Sequence, residues 1–194
     1  AVAARNCGGI VIAQVKRVVA RGSIPTQRVY VPSTLVDAIV VDPDQMQTTQ
    51  TLYDPAISGE IRRPEASFEP APFDPEKVVA RRAAMELTDG SAANLGFGIS
   101  ALVPGILLEE GQGGAVTWVI EQGPVGGVPL TGFAFGCAAN ADAILPSPVQ
   151  FTYFQGGGFD HSLLSFMEVD ADGNVNVSRL AAKPHVTAGC GGFV

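Results

Sequence analysis

Apolar residues recur along this chain in short bursts separated by glycine, proline and polar stretches. "GGIVIAQVKRVVARG" follows a glycine turn and reads as a β-rich segment with Ile10, Ile12, Val15 and Val18 as its apolar positions. "QRVYVP" and "DAIVVDP" read as two further short strands, each ended by a proline that cannot donate to a ladder. From Asp44 to about Phe73 the pattern dissolves into Gln, Thr, Pro and Ser, which predicts an extended loop. The clearest helix is "DPEKVVARRAAMELTDG". Asp74 is placed as N-cap, Pro75 fills the first helical position and Gly90 is placed to end the helix. Val78, Val79, Arg82, Ala83 and Leu87 set aliphatic groups on one side of it.

The remainder alternates. "SAANLGFGISALVPGILLEEG" reads as strand, glycine turn and helix, and "GAVTWVIE" as a strand. "TGFAFGCAANADAILPSPVQFTYFQGGG" reads as a loop, a small-residue segment and another strand. "LLSFMEVDADGNVNVSRL" predicts two strands around an Asp-Gly turn. Strands alternating with helices predict an α/β fold: an open, mostly parallel sheet flanked by helices, with additional β-hairpins. Sites in such sheets lie beyond the carboxyl ends of the strands.

One residue occupies such an end. In "VTWVIEQGPVGGVP" an apolar strand runs into Glu121 and then a loop of glycines and prolines. Glutamate suits neither strands nor buried positions, so Glu121 caps, binds or attacks something. "LGFGISA" at 95–101 is a GxGxxA match between a strand and a helix, with Glu121 standing 23 positions after Gly98. That spacing keeps a dinucleotide (NAD-type) site open, because such glycines let a backbone approach a pyrophosphate at a helix N-terminus. Pro104 early in the helix and the glycine-proline loop after the acid argue against it, and a plain strand-to-helix turn reads equally well. "DADGNVN" at 170–176 brushes against a calcium loop, but its glycine is misplaced and Ala181 stands where the bidentate Glu belongs. A hairpin turn is the better reading. Arg62–Arg63 and Arg81–Arg82 could meet phosphates, although exposed arginines are ordinarily solvated. "FQGGGFD" and "GCGGFV" add two glycine clusters beside apolar strands. Glycine loops point main-chain N–H groups into a cleft, which suits a carboxylate attacking a carbonyl whose oxygen becomes negative.

Composition narrows the partners. With 194 residues, 46% of them hydrophobic and 16% charged, the chain can bury one substantial core. A net charge of −7 argues against nucleic acid as the partner. No apolar run is long enough to span a bilayer, and "AVAARNCGG" lacks the order of a signal peptide. Cys7, Cys137 and Cys190 are odd in number and far apart, so reduced thiols and a cytoplasmic setting are expected, with no disulfide framework. His161 and His185 are the only histidines, and no metal site is expected. The missing initial Met and the apolar ending "GCGGFV" are expected of a segment of something longer.

"ARNCGGIVIAQVKRV", "VDAIVVDP", "VVARRAAMEL", "NLGFGI", "VIEQGPVGGVP", "FQGGGFDHSLLSFMEVDADGNVNVS" and "GCGGFV", in that order, resemble the family I coenzyme A transferases of the acetate, propionate and short-chain 3-oxoacid type. The resemblance covers nearly the whole chain, and its E-x-G-x-x-G-G run with the triple glycine downstream is specific. Members of the family are longer. The resemblance therefore implies residues 1–43 as the end of an N-terminal lobe, 44–73 as an extended linker and 74–194 as a catalytic glutamate domain truncated at its C-terminus. It implies Glu121 as nucleophile on an acyl-CoA thioester, passing through a mixed anhydride to a glutamyl-CoA thioester in a ping-pong exchange. It implies Gly191 and Gly192 at the oxyanion, with Gly192 as backbone donor. Gly96, Phe97, Gly98, Ile99 and Ser100 hold part of the CoA, and Gly126, Gly127, Gly156, Gly157 and Gly158 line the substrate pocket. Coenzyme A is then substrate and covalent intermediate, with no permanently bound cofactor. The implied partners are an acyl-CoA, a short-chain carboxylate, a second copy of the chain and the missing lobe, with neither nucleic acid nor membrane among them. A non-catalytic CoA-binding remnant is the further alternative. Aliphatic walls such as Val125, Val128 and Phe133 leave the acyl group open, since a methylene is worth only about 1–3 kcal/mol.

Overall fold

A computed structural model describes residues 1–48 and 51–187. Its contacts divide between two units, Ala1–Tyr53 and Asp54–Val194. In the first, helix α1 (Val2–Asn6) precedes strand β1 (Ile12–Val15), which pairs in parallel with β2 (Ala38–Val41). Asp37 fastens the entry to this pair. Its carboxylate accepts from the Arg5 guanidinium at 2.6 Å and from the Val11 N–H at 2.8 Å. The strand expected at "QRVYVP" does not form. A 3-10 turn at Thr26–Arg28 opens it and the rest is irregular, as part of the crossover that parallel strands require. Ile12 and Val40 lie exposed, although parallel strands are ordinarily covered on both faces.

The second unit carries α2 (Pro75–Ala84), β3 (Ala92–Leu95), α3 (Val103–Glu109) and β4 (Thr117–Trp118). Four two-residue strands follow: β5 (Pro124–Val125), β6 (Val128–Pro129), β7 (Ala138–Ala139) and β8 (Ala143–Ile144). Helix α4 (Ser147–Gln155) then leads to β9 (His161–Leu163). Beyond it come two antiparallel pairs, β10 (Glu168–Val169) with β11 (Val175–Asn176), and β12 (Arg179–Leu180) with β13 (Lys183–Thr187). The central sheet has the order β4-β3-β9, and all three strands are parallel. Parallel strands with helical connections make this an α/β unit.

Alternation along the strands sorts the two faces. Ala93, Leu95, Trp118 and Ile120 join Val103, Ile106 and Leu107 of α3 and Ala80 and Ala84 of α2 in the main core. Asn94, one residue out of step, is buried as well. Its amide donates to the Val119 carbonyl of the neighbouring strand at 3.0 Å and accepts from the Ser162 hydroxyl of β9 at 3.3 Å. A single buried side chain thus ties all three strands together.

Three further elements differ from the sequence reading. Asp74 caps α2 as expected, accepting from the Lys77 N–H at 2.8 Å, but the helix stops at Ala84 and not near Gly90. Its buried face is the small pair Ala80 and Ala84, which lets α2 approach α3 closely, while Val78 and Val79 face solvent. "PSPVQFTYFQ" forms helix α4 and not a strand: Pro148 suits a first helical turn, and Gln150 and Phe154, four apart, share the buried face. The stretch expected as a linker is also not uniformly loose. Ala56 is fully buried, and Arg63 and Asn140 exchange hydrogen bonds of 2.7 and 2.8 Å, so residues beyond Asp54 are anchored to the second unit.

Leu95 is almost completely buried in the main core, whereas Asp74 acts only through its cap. Leu95→Ala is expected to cost about 2–5 kcal/mol and Asp74→Ala about 1 kcal/mol, read from urea midpoints. Equal losses would mean that the β3 core does not dominate the stability of this unit.

Candidate active site

Glu121 follows the β4 strand at its carboxyl end. The segment that precedes it stays in the sheet, since the Val119 N–H donates to the Ala93 carbonyl at 2.9 Å. The chain then reverses. The Gly123 N–H reaches back to the Ile120 carbonyl at 2.8 Å, and Val119 and Val125 form an antiparallel bridge. This reversal is the physical reason for the glycines. A Cβ on Gly123 would lie 2.0 Å from the Leu145 carbonyl oxygen, and one on Gly127 would lie 2.3 Å from that of Ala139. One on Gly126 would strike the Asp142 carboxylate at 2.1 Å. All three glycines also have positive φ. The E-x-G-x-x-G-G run is therefore a backbone-on-backbone turn packed against residues 139–145, and its glycines serve that packing.

The carboxylate itself is half-buried. Its Oε1 accepts from the Gln122 amide at 3.2 Å. Burial pushes the Glu121 carboxyl above its ordinary range, partly opposed by that hydrogen bond. The Gln122 side chain is in turn packed on Gly136, where a Cβ would come within 2.8 Å of its amide carbon. Next to Gly136, Phe135 meets Phe97 edge-to-face at 5.5 Å.

Phe97 belongs to the Gly96–Ser100 loop, which leaves the carboxyl end of β3, the strand beside β4. The Gly96 N–H donates to the Leu163 carbonyl at 2.7 Å, the Ser100 hydroxyl to the Gly96 carbonyl at 2.9 Å, and the Ser165 hydroxyl to the Phe97 carbonyl at 2.5 Å. Gly98 sits at φ 101°, and a 3-10 turn over Ile99–Leu102 leads into α3. Pro104 is thus tolerated in the first turn of α3. The structure brings Glu121 and Gly96–Ser100 to one edge of the sheet on adjacent parallel strands.

It does not bring the triple glycine there. Gly156–Gly158 closes α4, with the Gly156 and Gly158 N–H groups donating to the Tyr153 carbonyl at 3.1 and 2.9 Å, and leads into the amino end of β9. Since β9 runs parallel to β3, with His161 opposite Ala93, that end is the edge away from Glu121. Gly156, Gly157 and Gly158, expected to line the substrate pocket, end a helix at that other edge, and Gly158 makes room for the Tyr153 ring. Gly191 and Gly192 lie outside the described residues. The arginines that might have met phosphate have acidic partners: Arg62 with Asp142, Arg63 with Asp54, Arg81 with Glu110 and Arg82 with Glu86. At 170–176 the Asp170 carboxylate is taken up by the Asp172 and Asn174 N–H groups of the hairpin. Among the described residues no helix is long and apolar enough to cross a membrane, and no group of three or more His, Cys, Asp or Glu is placed to hold a metal ion.

Sequence reasoning passed over two groups. The Ser147 hydroxyl donates to the Glu121 carbonyl at 3.0 Å, and the Gln150 amide donates to the Ile120 carbonyl at 3.2 Å. The available signals were Ser147-Pro148 as a helix start and one amide set in an apolar run.

A glutamate at a strand end thus stands ahead of a glycine reversal and beside a glycine loop on the next parallel strand, and comparison with known proteins finds the chain similar to coenzyme A transferases. No family model matches the chain. Acetate CoA-transferase YdiF of Escherichia coli (strain K12) is 39% identical over 197 aligned residues, which cover 99% of this chain and 36% of that one. Caffeate CoA-transferase of Acetobacterium woodii is 38% identical over 99% of this chain and 38% of its own length. The crystal structure of the acyl-CoA transferase (YdiF) apoenzyme from Escherichia coli O157:H7 superposes with a TM-score of 0.78 at 38% identity, covering 97% of this chain and 34% of that one. A thioester complex of the same enzyme with CoA gives 0.74 at 37% identity, over 91% of this chain and 34% of that one. The resemblance to family I coenzyme A transferases thus holds over nearly the whole chain. The chain spans about a third of the length of the curated relatives it matches.

Gly90, like Gly127, has positive φ, but no atom lies within 4 Å of the place where its Cβ would be. Gly90→Ala is expected to cost about 1–2 kcal/mol for the backbone conformation alone, and Gly123→Ala and Gly127→Ala distinctly more. Equal urea midpoints would show that the reversal yields to a methyl group.

The raised Glu121 carboxyl has a sign. The folded state holds that proton more tightly than the unfolded chain, so the contribution is favourable below the ordinary carboxylate range and is lost as pH rises through the raised value. Glu121→Gln is therefore expected to be more stable than the parent at neutral pH, with the gap closing in acid. A gap that widened in acid would reverse the assignment.

Proposed function

We propose that the protein carrying this chain transfers coenzyme A between an acyl-CoA and a carboxylate acceptor, with Glu121 as the covalent relay. The observation that carries this reading is the half-buried Glu121 carboxylate, held on the same sheet edge as the Gly96–Ser100 loop. It is supported by the solved relative caught as a thioester with CoA. Glu121 attacks the thioester carbonyl, the sulfur leaves as CoA thiolate, and a mixed anhydride forms. The thiolate then attacks the glutamyl carbonyl of the anhydride, releasing the donor carboxylate and leaving a glutamyl-CoA thioester. An acceptor carboxylate reverses both steps and regenerates the Glu121 carboxylate.

The physics suits the residue. A carboxylate at its ordinary pKa is ionised at neutral pH without a base, and the burial that raises the Glu121 pKa makes its ionised form a stronger nucleophile. It remains a weak nucleophile, so positioning and oxyanion donors supply the rate. Gly192, with Gly191 beside it, is our candidate for the donor. Gly96, Phe97, Gly98, Ile99 and Ser100 are our candidates for holding CoA, and Gly126 and Gly127 for shaping the floor beneath the acyl group. The net charge of −7 and the acidic partners of Arg62, Arg63, Arg81 and Arg82 turn these four away from the phosphates of CoA, and the reading assigns cationic contacts to the remainder of the protein or to a second copy. The free thiols of Cys7 and Cys137 fit a cytoplasmic setting. A short-chain acyl group is the substrate class of this reading.

Borohydride added after acyl-CoA is expected to reduce a thioester at Glu121 to the alcohol, found by peptide mass spectrometry. Glu109 and Glu110 are the internal controls, since each is held 2.5 Å from a cation of α2. Modification there, with Glu121 untouched, would overturn the assignment. In the same protein Glu121→Asp is expected to lose on the order of 10²-fold in turnover, because it withdraws the nucleophile by about one C–C bond.

A further inference from the structure

Helix α4 begins with an unusual use of its polar side chains. Its N-cap is Pro146, which offers no side chain to the helix, and Ser147 at the next position does not cap it either. The Ser147 hydroxyl is directed outward, to the Glu121 carbonyl at 3.0 Å. One turn on, the Gln150 amide donates to the Ile120 carbonyl at 3.2 Å. Consecutive peptide carbonyls, one preceding Glu121 and one belonging to it, are therefore both held by one helical turn. Gln150 is fully buried, and its own amide oxygen has no hydrogen-bond partner among the described residues. An orphaned buried acceptor costs about 1–3 kcal/mol, a cost that a methionine or leucine of similar size would avoid.

We infer that Ser147 and Gln150 are positioning residues for the nucleophile. They fix the two peptide planes from which the Glu121 side chain departs, and so set the direction of its carboxylate. The inference rests on Glu121 being the nucleophile. The reasoning is geometric. The strand proper ends at Trp118, and beyond it Glu121 stands at a reversal where its peptide has left the regular ladder. The side-chain amide of Gln122 steadies only the carboxylate, through a single 3.2 Å bond. The Ile120 carbonyl is also held by the Gly123 N–H at 2.8 Å, so it is chiefly loss of the Ser147 bond that frees the peptide between Glu121 and Gln122 to rotate, and attack tolerates little misplacement.

The test measures the rate of glutamyl thioester formation in a single turnover with acetyl-CoA as probe, in the intact protein, beside KM for acetyl-CoA and the melting temperature. Ser147→Ala and Gln150→Met are expected to slow adduct formation by about tenfold or more, with KM little changed. Ser147→Thr, which keeps the hydroxyl, is expected to restore the Ser147→Ala loss. Ser147 is only half-buried, so its variants keep the test decisive should Gln150→Met fail to fold. Adduct formation at the parent rate in Ser147→Ala, or a loss that Thr does not restore, would overturn the positioning role. Absence of any adduct in the parent protein would instead overturn the assignment of Glu121, and the two failures are distinct.

Discussion

Two stretches of backbone can lie against each other at van der Waals distance only where no side chain stands between them, and the segment after Glu121 depends on such an approach. Gly123 rests on the Leu145 carbonyl and Gly127 on residues 139–141. The contact does more than close a turn. It carries the chain back so that β5 pairs with β8 and β6 with β7. β8 then delivers Leu145 and Pro146 directly to the start of α4, whose first turn grips the carbonyls of Ile120 and Glu121. The glycines are remote from chemistry in the sense that no side chain of theirs can act. Yet they decide where the helix that holds the glutamate begins.

The electrostatic setting follows from that packing. The hydrogen-bond partner of the Glu121 carboxylate is a neutral amide, and burial raises its pKa. A lysine or arginine at the same distance would hold the charge more securely and lower the pKa, but would also make the oxygen a poorer nucleophile. Elsewhere in the unit carboxylates do meet cations, as Glu109 meets Lys77 and Glu110 meets Arg81. Those pairs join α2 to α3. Glu109 is desolvated too, but the Lys77 ammonium outweighs that and lowers its pKa, whereas Glu121 has only a neutral amide beside it and burial raises its pKa.

What could be read from the sequence was what local geometry dictates. Asp74 and Pro75 announce a helix start because both act within one turn. The E-x-G-x-x-G-G run announces a loop, while its tight reversal is seen only once Gly123 and Gly127 are found against residues 139–145. The parallel sheet followed from the alternation of strand and helix. What could not be read depended on partners distant in sequence. "PSPVQFTYFQ" carries β-branched and aromatic residues that favour a strand, and only the burial of Gln150 and Phe154 on one face makes it a helix. Val78 and Val79 look like a core face, but α3 asks for small residues, so Ala80 and Ala84 go inside. Gly156–Gly158 stands in sequence where a site loop could be. Its place at the far edge is known only once β9 is seen to be parallel to β3.

The same topology explains why the chain resembles a dinucleotide fold in one stretch without needing to be one. A parallel sheet puts the carboxyl ends of neighbouring strands on one edge, so whatever follows β3 and whatever follows β4 must meet there. In a nucleotide domain the first position offers glycines to a pyrophosphate and the second an acid to a ribose. Here the second position offers an acid whose peptide is fixed from behind by α4 and whose loop reverses at once on itself. A ribose-binding carboxylate has no need of that restraint, because accepting a hydroxyl hydrogen bond tolerates small shifts. A nucleophile has every need of it, because bond formation requires reacting atoms about 3–3.5 Å apart and aligned. The two hydrogen bonds that α4 makes behind Glu121, more than the glycine pattern in front of it, favour the proposed nucleophile over a ribose-binding acid.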